Sequence, residues 1–140
     1  MELTPINPTA KGPAERFTGD VYVTMIQRPQ RPSQLSAATV RFTPGARTNW
    51  HSHDLGQTLY VTDGVGFVGT RDGSVVRMTP GDTVWTPPGE EHWHGAADGS
   101  LMCHLALLDV PEGSEGTTWL DPVTDEQYRA AHQAEEGRQR

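Results

Sequence analysis

The chain's 140 residues suffice for one domain with a proper core, and its fifteen glycines and eleven prolines, scattered singly, fit short strands joined by tight turns. A formal charge of −7 argues against nucleic acid or an anionic membrane as partner, since both select basic patches. One cysteine forbids an internal disulfide, and there is neither a signal-peptide-like start nor a run of roughly 20 apolar residues, so the cytosol is the expected location.

Residues 1–17 form a polar arm broken by prolines. Residues 20–26, "DVYVTMI", are rich in β-branched and aromatic side chains and read as a strand. After the polar loop "RPQRPSQ", residues 37–43 alternate, with Ala38, Val40 and Phe42 on one face and Thr39 and Arg41 on the other. Turn signals then recur at Asp63-Gly64, Arg71-Asp72-Gly73, Pro80-Gly81-Asp82 and Asp98-Gly99. Between them lie "QTLYVT", "VGFVGT", "SVVRM", "TVWT", "HWHGA" and "LMCHLALL". Strands this short, punctuated this often, predict an all-β sandwich or barrel spanning about residues 20–110. Only the tail reads helical: Thr124 and Gln127 make a capping box that opens a helix over 124–136. The chain shows no internal boundary, so 1–140 reads as one domain.

Five of the six histidines fall in two short blocks and one nearby strand. His51 and His53 are two residues apart, so on an extended chain their imidazoles leave one face and can converge on an ion about 2.0–2.1 Å from each nitrogen. Gln57 shares their parity, but Asp54-Leu55-Gly56 looks like a bend, which puts Gln57 at the start of the next strand. His92 follows the turn Pro87-Pro88-Gly89, and His94 shares its face. His104 shares a face with Met102, Ala106 and Leu108, where a buried imidazole needs a partner. Cys103 points the other way and reads as a small buried hydrophobe. His132, in the tail helix, reads as a solvated surface residue.

The spacing of Gly45, His51-x-His53, Gln57 and Gly64 resembles the first cupin motif, and Gly81, Pro87-x-Gly89 and His92 resemble the second. The resemblance implies a double-stranded β-barrel (a cupin jelly roll) with a metal inside its mouth, held by His51, His53, Gln57 and His92. Gln57 stands where the usual motif has glutamate, and Ala96 where asparagine is usual. With "VTDEQY" near the C-terminus, the chain is similar, from about Lys11 to Tyr128, to bacterial single-domain cupins that include manganese-dependent hydroxynitrile lyases. That group's ligand set is three histidines and a glutamine. Asp54 departs from it, where proline is expected. The likeness implies manganese, with iron, zinc, nickel or cobalt as alternatives, and His104 as general base. His94 and Thr48 would position a small-molecule substrate, and Ala38, Val40, Leu59 and Leu108 would form an apolar wall. A lyase acting beside a hydroxyl or carbonyl is the first expectation; an iron or manganese oxygenase and a non-catalytic binding cupin are the alternatives. A homodimer or homotetramer is expected too, since the strand at 20–26 would otherwise leave a sheet edge unpaired, and light scattering at micromolar concentration tests it.

Overall fold

The computed structural model describes residues 1–139, as thirteen strands and one helix. The first group of strands is β1 (Ala10–Lys11), β2 (Phe17–Thr18), β3 (Val21–Gln27), β4 (Leu35–Phe42), β5 (Arg47–Thr48) and β6 (His51–His53). The second is β7 (Gln57–Gly64), β8 (Gly66–Thr70), β9 (Val75–Met78), β10 (Thr83–Thr86), β11 (His92–Ala96), β12 (Met102–Asp109) and β13 (Thr117–Trp119), before helix α1 (Asp125–Gln139). The sequence reading found the longer strands to within a residue or two. It missed β1, β2, β5 and β13, which are two or three residues long, too short to display a period of two. No helix among the described residues is long and apolar enough to cross a membrane.

Two sheets face each other. One has the order β1-β3-β4-β12-β7-β10, all antiparallel. The other runs β13-β6-β11-β5-β2, with β8 on the free edge of β11 and β9 beyond it. Alternation decides what lies between them. Val40, Phe42, Leu59, Val61, Met102 and Ala106 from the first sheet pack against Val68, Met78 and Ala96 from the second and against Ala46, just before β5. This apolar interior excludes water from one end of the barrel and leaves the other to polar side chains.

The outer face of β11 is also buried, because α1 lies on it. Trp93 joins Trp50, Phe67, Val75, Val123, Tyr128 and Ala131 in a second cluster beneath the helix. The expected capping box is present: Gln127 N–H donates to Thr124 Oγ1 at 3.1 Å, and Thr124 N–H donates to Gln127 Oε1 at 3.0 Å. Buried Arg47 donates to Val123 O at 3.0 Å and pairs with Asp125 at 2.8 Å, while Tyr128 O–H donates to Ala96 O at 2.6 Å. Gly95 admits Arg47 to this packing, since a Cβ there would lie 2.5 Å from Ala46 O. His132 corrects an expectation. It is not a free surface residue: its Nδ1–H donates to Tyr128 O at 3.0 Å, its Nε2 accepts from Asp98 N–H at 3.1 Å, and its ring packs on Phe67 and Tyr128. The helix periodicity was right, but the sequence does not disclose that the 97–99 loop folds back onto the helix.

Candidate metal centre

The strands bring the first motif and the second together edge to edge. His51 on β6 lies directly opposite His92 on β11. With His53 they form a buried trio whose ligand atoms all lie within 4.8 Å of one another. Between β6 and β7 the chain bends through Asp54-Leu55-Gly56; Gly56 takes φ +83°, a conformation that side-chain-bearing residues rarely adopt. The bend ends where Gln57 begins β7, as its sequence position suggested, and sets Gln57 Oε1 3.0 Å from His53 Nε2. Two ligands at right angles, each about 2.1 Å from one ion, are separated by about this distance.

The outer nitrogens of the trio are all held. His51 Nδ1–H donates to Asn49 O at 2.9 Å, and His92 Nδ1–H donates to Glu90 O at 2.9 Å. A carbonyl can only accept, so in both rings the proton sits on Nδ1 and the lone pair on Nε2. His53 Nδ1 lies 3.0 Å from Thr117 Oγ1. That hydroxyl suits either tautomer: it donates when Nε2–H points at Gln57, and accepts when Nε2 offers its lone pair. His92 Nε2 is buried with no protein partner, which an acceptor aimed at a cation explains. Burial, reinforced by neighbouring imidazoles, lowers the pKa of His51 well below the usual 6.5 and that of His92 to about 4; burial also lowers that of His53. All three are therefore neutral at pH 7, the state a metal ligand requires. The residues present fit a divalent ion held by His51, His53, His92 and Gln57.

Beside the trio lies a cavity of about 330 Å³. Thr48, His94, Val40 and Leu108 line it. Two expected wall residues do not: Ala38 and Leu59 belong to the hydrophobic core, where Leu59 is fully buried. The walls that replace them are Val23, Ala106, Phe17 and Trp119. His104 is likewise not on the cavity wall. It sits behind His94, with its Nε2 3.0 Å from His94 Nδ1. Burial lowers the pKa of both imidazoles, to about 4 for His104, so both are neutral at pH 7. Thr48 Oγ1 accepts from His94 N–H at 3.2 Å, so its contact with that residue goes to the strand and not to the imidazole. Cys103 is buried, as its parity suggested.

A family model described as a cupin domain matches residues 38–111. The chain belongs to the cupin family. An (R)-mandelonitrile lyase from Granulicella tundricola is 47% identical over 131 residues, covering 92% of this chain and 99% of that protein. The solved structure of a cupin-like protein from Thermotoga maritima matches with a TM-score of 0.82 and 36% identity, over 94% of this cupin and 97% of that chain. A polyketide cyclase from Streptomyces resistomycificus shares the fold alone, at 19% identity and a TM-score of 0.57 over 76% of each chain.

Asn49, Glu90 and Thr117 hold the outer nitrogens of the histidine trio, and the sequence reading missed all three. Two act through backbone carbonyls, which leave no mark in side-chain chemistry. Thr117 comes from a strand that pairs with β6, 64 residues downstream of His53. Its role is testable. Thr117→Val should weaken metal binding about 10–100-fold, whereas Thr117→Ser should hold it. Competition against a chelator measures this; equal affinity for all three proteins would show that Thr117 does not orient His53.

Proposed function

We propose that this cupin is a metal-dependent lyase acting on a small hydroxylated or carbonyl substrate, with cleavage and formation of a cyanohydrin as the concrete reaction and manganese as the ion. One observation carries the reading: four neutral ligand atoms converge beside a cavity whose wall holds neutral His94, hydrogen-bonded to neutral His104 behind it. The 47% identity to an (R)-mandelonitrile lyase supports the same reaction class. When bound, the ion supplies Lewis acidity, undiminished by any carboxylate among its ligands.

The chain's own residues then handle the proton. His94 faces the substrate, and its Nε2 has no protein partner. In the tautomer with Nδ1–H on His94, Nε2 accepts the hydroxyl proton of the substrate as Nδ1–H passes its proton to His104 Nε2. The electron pair of the breaking carbon–carbon bond leaves with cyanide, and reversal of the relay returns the proton to it. In this reading His104, the base expected from the sequence, acts through His94. Val40, Ala106 and Leu108 give the substrate's apolar part a dry wall.

The experiment pairs metal analysis of the purified protein with mandelonitrile cleavage assayed with and without oxygen, for the parent and for Gln57→Glu. The variant keeps size and oxygen donor but adds an anionic ligand. It should bind the ion at least as tightly and cleave about tenfold more slowly, because the ion becomes a weaker acid. A parent that turns over only with oxygen would make it an oxygenase. Metal retention without turnover of any kind would make it a binding protein, and faster cleavage by the variant at equal loading would refute this account of Gln57.

A further inference from the structure

We infer that the native substrate of the site carries a carboxylate, read by Arg16; the inference rests on the lyase reading and names its substrate class. The chain has 18 acidic residues against 11 basic ones, yet no acidic side chain lines the cavity. The charged side chains that do are Lys11 and Arg16. Lys11 is already paired with Asp20, at 3.1 Å. Arg16 has no hydrogen-bonded or ionic side-chain partner among the described residues; its guanidinium lies over the ring of Trp119, 5.3 Å from the centroid. The same ring lies 4.7 Å from that of His51, so the free cation stands one indole away from a proposed metal ligand.

The segment that carries Arg16 is fixed in place. Arg16 N–H donates to Pro13 O at 3.0 Å, and Arg16 O accepts from Asn49 N–H at 2.8 Å. Asn49 Nδ2 also donates to Glu15 O, at 2.8 Å. Asn49 is the residue whose carbonyl orients His51, so one backbone position sets both the ligand and the arm over it. A guanidinium seated over an aromatic ring without a hydrogen-bonded or ionic partner keeps its N–H groups available to an anion, and a planar carboxylate can accept them in two hydrogen bonds. A neutral cyanohydrin leaves this donor unused. A small hydroxy or keto acid with an apolar group satisfies it, placing the group against Val40, Ala106 and Leu108 and the oxygen-bearing carbon toward the ligand trio.

The test compares two probes of one shape, mandelate and its neutral amide, by titration calorimetry on the purified protein with its metal content measured. Mandelate should bind more tightly than mandelamide, and added salt should narrow the gap. Arg16→Gln should weaken mandelate about fivefold and leave mandelamide unchanged, the modest effect expected for a partly solvated ion pair, whereas Arg16→Lys should retain most of the preference. Equal affinity for the two probes, no mandelate binding, or undiminished mandelate binding by Arg16→Gln would overturn the inference. Because the readout is heat of binding, it is separate from turnover: mandelate binding through Arg16 with no cleavage activity would sink the lyase reading instead.

Discussion

His104→Ala should leave the metal content of the protein unchanged and lower the cleavage rate about 10²–10⁴-fold, the usual share of a general base. His104 lies outside the ligand trio and touches His94, not the ion's ligand atoms, through the 3.0 Å bond between its Nε2 and His94 Nδ1. The relay makes a sharper demand than a lone base would. His94→Ala should cost as much as His104→Ala, and the double variant should cost little more than either, because the two rings act as a unit. His104→Gln separates proton transfer from packing: its amide oxygen can accept from His94 Nδ1–H but cannot take up the proton. It should therefore stay folded, keep its metal and remain slow. Metal loss in step with activity would make His104 a ligand, and additive losses would dissolve the relay.

The second large effect is on stability. Burial holds His92 and His104 at pKa values of about 4, against the usual 6.5, and lowers those of His51 and His94 well below 6.5 as well. The unfolded chain therefore takes up protons between about pH 6.5 and 4 that the folded chain refuses. Stability from these groups is complete above pH 6.5, declines through that window and is gone near pH 4. For His92 and His104 the full effect is about 3 kcal/mol each, large against a total of about 5–15 kcal/mol for an ordinary domain. Metal-free protein should show a urea midpoint that falls steeply from pH 7.5 to pH 5. Metal-loaded protein should resist further into acid, because the ion competes with protons for Nε2 of the trio. A midpoint that ignores pH in the metal-free protein would mean that these imidazoles are solvated, not buried.

Much of this site is legible in the sequence because two devices of the chain are local. Period-two alternation puts His51 with His53, and His92 with His94, on single faces whatever the fold around them. A turn residue with freedom at positive φ, Gly56, lets Gln57 come back toward His53 within four residues. The capping box of α1 is local as well, and it forms as written.

Pairing and depth are not local, and they were decided only by the tertiary structure. Nothing in "TTW" marks a strand until it lies against β6 and delivers Thr117 to His53. Parity correctly gave His104 an inward face, but the way β12 packs between β4 and β7, with a register slip at Cys103/His104, sets it behind His94 and off the cavity wall. Leu59 shares that inward direction and ends in the core, because direction is fixed by the pleat whereas distance from the barrel's mouth depends on which strands lie alongside. Arg16 carried no signal at all. Its segment is irregular, and its place over Trp119 follows from backbone bonds to Asn49 that close only when the arm folds back across the second sheet.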